Sequence, residues 1–215
     1  MMLFGFWRSS CSWRVRIALR YKGIPFDNQT VHLQRNGGEQ FNSEHRERNP
    51  MKQVPVMQDQ LGVHQITMSQ SIAIMEYLEE QYPNPSILPA DPIERCRARQ
   101  VSEVINSGIQ PLQNSSTLRA IEALGHDKRQ WAKSWIQQGL DNLETMVRGF
   151  PETEFVVSST PSMADFCLIP QLYNAKRFGC SMENWNRLLS VQANCLSLPA
   201  FAISHPENQK DASPA

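Results

Sequence analysis

Two hydroxyl groups and a thiol follow one another at Ser9, Ser10 and Cys11, between a short apolar segment and a helical pattern. The apolar residues 2–6 predict a buried strand, and residues 12–21 predict a helix because its apolar side chains recur on one face. A helix start offers backbone N–H groups without carbonyl partners and a partial positive charge. Such a position stabilises an anion, and with these residue types the fitting anion is a thiolate.

Cys11 itself has two interpretations. A thioredoxin-like dithiol would need a second cysteine at position 14, where Arg14 stands, so dithiol exchange is not expected. In one interpretation Cys11 is a small packed residue, and Ser9 and Ser10 only cap the helix. In the other, the three residues form a reactive patch. These residues alone leave both interpretations open.

Polar side chains at three other places could bind a ligand. A cis bond between Val54 and Pro55 would expose the backbone of Val54 to an extended peptide, although a trans strand start is more common. Ser71 begins the helix predicted over 71–82, where it could bind a carboxylate or act as a plain N-cap. Pro111 interrupts a long helical pattern, and the polar residues around it could face a ligand or form a simple turn: Gln110, Gln113, Asn114 and Ser115.

Two arginines are candidates for holding a substrate carboxylate. A guanidinium group forms bidentate pairs with carboxylates, which makes Arg8 and Arg177 the candidates. Either could instead be a solvated surface charge. Ser162 and Asp165 have the spacing of a capping box, so we interpret them as structural.

These residues need an ordered set of elements around them. The sequence predicts the order β-α-β-α-β-β-α followed by helices, with the first two strands parallel because a crossover helix joins them. Clustered prolines from Pro83 to Pro92 mark a linker. We therefore expect a mixed domain over 1–83, a linker over 84–92 and an all-helical domain over 93–215. The predicted strands cover 2–6, 29–33, 54–58 and 65–68, and the predicted helices cover 12–21, 39–48, 71–82, 93–109, 130–148, 164–178 and 185–196.

Composition limits the classes of function. Acidic and basic residues balance at 21 each, which argues against a general nucleic-acid or membrane-surface binder. The five cysteines and five histidines form no metal-binding spacing, so no metal is expected. Scattered cysteines fit a reducing compartment, no stretch approaches about 20 apolar residues, and the first apolar run is too short for a signal segment. We expect a cytoplasmic protein.

The chain resembles the zeta class of the glutathione transferases, whose members include the maleylacetoacetate isomerases. The resemblance covers nearly the whole chain and is carried by SSCSWRVRIAL at 9–19, NPMKQVP at 49–55, and QS at 70–71 with EYLEE at 76–80. It is reinforced by GIQPLQN at 108–114, MAD at 163–165 and LPAF at 198–201. It implies the glutathione transferase fold, which is an α/β thioredoxin-like N-terminal domain plus an all-α C-terminal domain, usually in a homodimer.

By the same resemblance, glutathione is the cofactor and lies at the start of the first helix. Its cysteinyl backbone would pair with Val54 beside a cis Pro55, and its γ-glutamyl end would meet Gln70 and Ser71. The residues that match further glutathione contacts are Gln40, Gln110, Asn114, Ser115 and Ser116. The residues that match the catalytic patch, which also contacts glutathione, are Ser9, Ser10 and Cys11. Arg177 matches the residue that holds the substrate carboxylate, and we expect Arg8 to assist it.

The implied reaction is cis–trans isomerisation of maleylacetoacetate to fumarylacetoacetate, in tyrosine and phenylalanine breakdown, by reversible addition of the glutathione thiolate. An ordinary thiol has a pKa near 8.5, and lowering it by two units needs about 2.7 kcal/mol. A helix N-terminus supplies at most about 2 kcal/mol, and a hydroxyl donor adds about 1.5–3 kcal/mol. We therefore expect Ser9 or Ser10, rather than Cys11 alone, to stabilise the sulfur, with Arg14 as a longer-range helper.

Three rival functions stay open. A maleylpyruvate isomerase would perform the same step on a shorter substrate, but relatives of that kind replace the cysteine that stands here at position 11. An enzyme that conjugates or dehalogenates small α-halo acids would consume glutathione. A non-catalytic binding protein would keep the affinity for glutathione without isomerisation.

Two departures from the resemblance concern the binding segments. The segment 57–69 is about four residues longer than the usual hairpin, and we interpret the excess as a longer loop before Gln70. Ser115 and Ser116 replace the usual pair of an apolar residue and a serine, and a backbone contact to the ligand survives that change.

Overall fold

The computed structural model describes residues 1–212, and their contacts divide the chain into two compact units. The first unit contains Met1–Ser86 and the segment that starts at Leu198, and the second contains Ile87–Ser197. The strands are β1 (Met2–Gly5), β2 (Asp27–Thr30), β3 (Val56–Leu61) and β4 (His64–Ser69). The helices are α1 (Ser10–Tyr21), α2 (Ser43–Arg48), α3 (Ser71–Gln81), α4 (Pro92–Glu103), α5 (Ser115–Ala123), α6 (Lys128–Arg148), α7 (Met163–Phe178), α8 (Asn186–Leu196) and α9 (Pro199–Ser204).

The first unit is built on a four-stranded mixed sheet in the order β2-β1-β3-β4. β1 and β2 are parallel and are joined through α1, whereas β3 is antiparallel to both β1 and β4. The predicted order of elements and the parallel pairing of the first two strands are therefore confirmed. The second strand lies over 27–30 rather than 29–33, because its residues pair with Met2–Gly5 in that register.

α1 is buried on nearly every side. Its apolar side chains Trp13, Val15, Ile17 and Leu19 are at most 1% exposed. The N-terminus of this helix follows β1, one of the two inner strands, after a turn of four residues. A helix with this much buried apolar surface has little freedom to move, so it gives the residues at its start fixed positions.

The β3–β4 hairpin corrects the interpretation of a longer loop. Six residue pairs run from Val56 opposite Ser69 to Leu61 opposite His64, so the turn contains only Gly62 and Val63. Gly62 has φ +60° at the first central position, as a type II′ turn requires. The added length therefore extends the two strands. The regular pairing of β3 with β4 continues to Ser69, two residues before α3 begins.

The second unit is helical around α7, whose interior residues Phe166, Leu168 and Leu172 are fully buried. The predicted capping box is present: Asp165 accepts hydrogen bonds from the backbone N–H and the hydroxyl of Ser162, at 2.7 and 2.9 Å. The pattern predicted over 93–109 divides into α4 and a π-helical turn, followed by a 3-10 helix over Gln110–Gln113.

Two helices were not predicted. α5 follows the polar break, where Asn114 caps it by accepting from the N–H of Ser115 at 2.7 Å. α9 belongs to the first unit and packs on α1, and the ring of Trp13 meets the ring of His205 with centroids 5.2 Å apart. The predicted boundary placed residues 93–215 in one helical domain, whereas the segment from Leu198 groups with the first unit through these contacts.

Within residues 1–212, no helix combines the length and the apolar character that crossing a membrane requires.

Candidate active site

The turn from β1 into α1 carries Ser9, Ser10 and Cys11, and the end of the strand and the start of the helix lie close together there. The Ser12 hydroxyl accepts from the backbone N–H of Phe6 at 3.4 Å, directly below the turn. A Cβ atom at Gly5 would come within 3.1 Å of that hydroxyl oxygen, so a larger residue here would require Ser12 to shift by a few tenths of an ångström. Ser12 is therefore structural, and it fixes the direction in which α1 begins.

Ser9 is the N-cap of α1. Its hydroxyl oxygen accepts from the N–H of Ser12 at 3.2 Å, which leaves the hydroxyl proton of Ser9 available to an anion. Ser10 is buried and Cys11 is half-buried. As the first residues of the helix, Ser10 and Cys11 have N–H groups with no carbonyl partner inside α1. The turn therefore presents the hydroxyl of Ser9 and the backbone donors of Ser10 and Cys11 at the start of α1.

Three segments of the first unit meet at the same end of the sheet. Phe4, near the end of β1, pairs with Val56 at the start of β3, and Val56 pairs with Ser69 at the end of β4. The start of α1, the residues before β3 and the start of α3 consequently lie at this one end. The Val54–Pro55 peptide bond is cis, as the resemblance implied.

Gln70 and Ser71 form the entrance to α3. Gln70 has φ +73° and ψ 113°, a backbone conformation that non-glycine residues rarely adopt and that is found mainly at ligand sites. Gln70 is exposed, whereas Ser71 is 3% exposed. The N–H groups of the first turn of α3 point toward the same end of the sheet, which makes this a place for a carboxylate.

The loop before Val54 is held by two side chains. His45 Nε2 and Asn49 Nδ2 both donate to the carbonyl oxygen of Gln53, each at 2.9 Å. Because a carbonyl only accepts, His45 has its proton on Nε2. The side chain of Gln40 is also buried, and its Oε1 has no hydrogen-bond partner among the residues that the structure describes.

Two buried arginines of α1 point to different partners. Arg14 Nη1 donates to the hydroxyl oxygen of Ser71 at 3.1 Å. Arg16 Nη1 and Nη2 donate to the carbonyl oxygens of Phe6 and Trp7, at 3.4 and 2.7 Å. Burial lowers the pKa of Arg16 to about 10, although the negative charge of Asp211 acts to raise it. Arg14 thus reaches the start of α3, and Arg16 supports the turn before α1.

The predicted residues of the second unit lie in two neighbouring places. One place is the start of α5 and the 3-10 helix before it, which carry Gln110, Asn114, Ser115 and Ser116. The other is the end of α7, where Arg177 Nη1 donates to Asn174 Oδ1 at 3.0 Å. α6 contacts both, because Trp131 Nε1 donates to the carbonyl of Leu112 at 3.0 Å and Arg129 donates to the carbonyl of Arg177 at 3.5 Å.

Arg8 belongs to the first unit and lies in the turn that precedes Ser9. Its guanidinium carbon is 5.0 Å from the centre of the Trp7 ring, within the range of a cation–π contact. The side chain is half-buried, so this contact limits its positions without removing it from solvent.

Comparison with known proteins agrees with this arrangement. A family model described as the N-terminal domain of glutathione S-transferase matches residues 8–81. Maleylacetoacetate isomerase from Mus musculus is 43% identical over 210 residues, which cover 98% of this chain and 94% of the mouse protein.

Two solved structures are similar over their full length. The crystal structure of maleylacetoacetate isomerase from Anaeromyxobacter dehalogenans 2CP-1 with bound GSH has a TM-score of 0.90 and 42% identity, covering 99% of this chain and 97% of that one. A bacterial maleyl pyruvate isomerase of the zeta class has a TM-score of 0.92 and 34% identity, covering 99% and 100%. The chain belongs to the zeta-class glutathione transferases.

Membership of the zeta class confirms the expected fold, with its α/β thioredoxin-like domain and its helical domain. The structure also shows contacts that the sequence analysis did not identify. Arg14, which we expected as a longer-range helper of the sulfur, donates to the hydroxyl of Ser71, which is 57 positions further along the chain. Asn174 was not singled out, although its spacing of three residues before Arg177 on a helix was a readable signal.

Proposed function

We propose that this chain is a glutathione-dependent isomerase that converts maleylacetoacetate to fumarylacetoacetate. The observation that carries the proposal is the meeting of three segments at one end of the sheet: the turn with Ser9, Ser10 and Cys11, the cis Val54–Pro55 bond, and the start of α3 at Ser71. Membership of the zeta class supports it, because the mouse relative bears the name of this isomerase.

The residues of the first unit fit glutathione. The tripeptide has a carboxylate at the γ-glutamyl end, an extended cysteinyl segment and a thiol, and the site offers one kind of partner to each. The carboxylate would bind at Ser71 and Gln70, and the cysteinyl backbone would pair with Val54. The buried amide of Gln40, with an oxygen that has no partner among residues 1–212, suits a further polar contact with the ligand.

Glutathione, when bound, supplies a thiolate that adds reversibly to the double bond of the substrate. The chain's own contribution is to keep that sulfur ionised. The hydroxyl of Ser9 can donate to it, and the N–H groups of Ser10 and Cys11 place partial positive charge beside it. Ser10 and Cys11 complete the patch, in which Cys11 adjusts the surroundings of the sulfur.

The substrate is a dicarboxylate, so the site needs cations. We propose that Arg177 binds one carboxylate, because its hydrogen bond to Asn174 holds the guanidinium in place and a guanidinium pairs with carboxylates through two parallel hydrogen bonds. Arg8, restrained over Trp7, is proposed to assist. Gln110, Asn114, Ser115 and Ser116 are proposed to contact glutathione from the start of α5.

We further propose that the protein is a cytoplasmic homodimer that acts in tyrosine and phenylalanine breakdown. In the second unit, α4 and α6 border an open groove of about 570 Å³, lined by Val104, Ile109 and Trp135 among others. Trp135 is 38% exposed, and because glutathione transferases are usually homodimers we propose a second copy as the partner that covers it. Sedimentation of the purified chain tests the oligomeric state, and a monomer at micromolar concentration would contradict the proposed homodimer.

A spectrophotometric assay of maleylacetoacetate isomerisation, with and without glutathione, tests the function. We expect turnover that requires glutathione and leaves its concentration unchanged. Faster turnover of maleylpyruvate would favour the second candidate, which the similarity to the bacterial maleyl pyruvate isomerase supports. Net consumption of glutathione with α-halo acids, or binding of glutathione with no isomerisation, would contradict the proposal.

A further inference from the structure

Arg14 belongs to α1, and its buried guanidinium lies beside the first residue of α3. Its side chain is 0% exposed, although it stands in the middle of α1, and its Nη1 donates to the hydroxyl oxygen of Ser71 at 3.1 Å. Ser71 is the first residue of α3 and is itself 3% exposed. A buried guanidinium is held by its hydrogen bonds, and the bond to Ser71 links Arg14 of α1 to the proposed carboxylate site at the start of α3.

The hydrogen bond fixes the direction of the Ser71 hydroxyl. A serine hydroxyl has one proton to donate and two lone pairs that accept. Since the oxygen accepts from Arg14, its own proton points away from the guanidinium. The positive charge behind the oxygen also polarises the O–H group and makes it a stronger donor. The proton is therefore available to a ligand at the start of α3, where the N–H groups of the first turn also lack carbonyl partners within the helix.

We propose that Arg14 is a positioning residue for the γ-glutamyl carboxylate of glutathione and acts through the hydroxyl of Ser71. This inference rests on the proposed function, because it assigns a role inside the same site. It differs from the role expected from sequence, in which Arg14 assisted the sulfur. We call this arrangement the relay: Arg14 on α1 orients the hydroxyl of Ser71 on α3, and that hydroxyl binds the carboxylate.

Arg16 is a matched control for Arg14. It lies two residues further along α1 and is 1% exposed, so the two arginines have the same type, helix and burial. Its donors, however, go to the carbonyl oxygens of Phe6 and Trp7 and not to α3. A general loss of folding would appear in variants of both arginines, whereas a loss specific to the γ-glutamyl group would appear only with Arg14.

A double-mutant cycle tests the relay. Dissociation constants are measured by calorimetry for the parent, Arg14→Gln, Ser71→Ala and the double variant, each with glutathione and with cysteinylglycine, which lacks the γ-glutamyl group. We expect each single substitution to weaken glutathione binding about tenfold or more, and the double variant to be no weaker than Ser71→Ala. Binding of cysteinylglycine should change less than twofold, and the pKa of the bound glutathione thiol, read by ultraviolet absorbance, should not move in Arg14→Gln.

Several outcomes would overturn the relay. One is that the losses of binding free energy in the two single variants add up in the double variant. Another is that Arg14→Gln weakens the binding of glutathione and of cysteinylglycine equally, or raises the pKa of the bound thiol. The last is that Arg16→Gln weakens the binding of glutathione but not that of cysteinylglycine. If Arg14→Gln does not fold, Arg14→Lys takes its place in the cycle and must couple with Ser71→Ala in the same way. A parent that binds no glutathione would refute the proposed function itself, whereas a parent that binds and isomerises with an additive cycle refutes only the relay.

Discussion

Substitution of Ser9 by alanine separates the two tasks of its hydroxyl. The oxygen caps α1 by accepting from the N–H of Ser12 at 3.2 Å, and the proton is proposed to stabilise the glutathione thiolate. Loss of an N-cap hydroxyl costs about 1 kcal/mol of stability. Loss of a hydrogen bond to an ion costs about 1.5–3 kcal/mol, which corresponds to a rise of about 1.1–2.2 units in the pKa of the bound thiol.

The effect on turnover depends on pH, and this makes the prediction specific. If the bound thiol of the parent has a pKa near 6.5, which is two units below the ordinary value, about three quarters of it is ionised at pH 7. In Ser9→Ala the ionised fraction falls to between about 20% and 2%, so we expect a 4- to 40-fold loss of turnover at pH 7, with saturating glutathione. At pH 9 the loss should shrink to less than about twofold, because the thiol ionises without help.

The assay is the pH profile of turnover together with ultraviolet titration of the bound thiol. Ser9→Thr is the control, because threonine retains both the cap and the donor. Cys11→Ala should lower turnover less than Ser9→Ala or Ser10→Ala does. The reasoning would be refuted if the thiol pKa were the same in Ser9→Ala and the parent, or if the loss of turnover were equal at pH 7 and pH 9.

Three further predictions concern other parts of the structure. Arg177→Ala should raise the Michaelis constant for the dicarboxylate about tenfold or more and leave that for glutathione unchanged, and an unchanged constant for the dicarboxylate would refute the carboxylate role. His45→Phe removes the donor to the Gln53 carbonyl while keeping a ring, so it should raise the Michaelis constant for glutathione about 2- to 10-fold with kcat unchanged; a fall in kcat alone would contradict this. Burial raises the pKa of Asp165 from 3.8 to about 6, so the folded state binds this proton more tightly than the unfolded state. The free energy of unfolding of the parent, measured relative to Asp165→Asn, should therefore be largest below pH 4 and fall as the pH rises to about 6, and a rise over that range would refute it.

The succession of elements could be predicted from sequence because it depends on local patterns. Alternating and helical spacings identified β1, α1, α3 and the long helices, and the crossover rule then gave the parallel pairing of β1 with β2. The hairpin was misjudged for a physical reason. Residues 60–65, which form the ends of β3 and β4 and the turn between them, are all exposed, so they lack the alternation of buried and exposed positions that identifies a strand and they resemble a loop.

The two unpredicted helices are short. α5 has nine residues and none of them is buried, so its brief apolar spacing was not distinguished from the polar break around Pro111. α9 has six residues, and a helix of that length is stabilised by packing on α1 rather than by its own propensity. In the site, the cap at Ser9 is a local signal, whereas the link from Arg14 to Ser71 depends on the packing of two helices and has no local signal.

The first unit places two helix N-termini, those of α1 and α3, at the same end of one sheet. Each favours a negative charge, and glutathione carries one at its γ-glutamyl carboxylate and gains another when its thiol ionises. If the carboxylate binds first at Ser71, the sulfur is brought to the start of α1 without a separate association, which raises its effective concentration there. Ionisation at α1 and recognition at α3 are then coupled through one ligand, so a defect at Ser71 weakens binding, whereas a defect at Ser9 leaves glutathione bound with its thiol protonated.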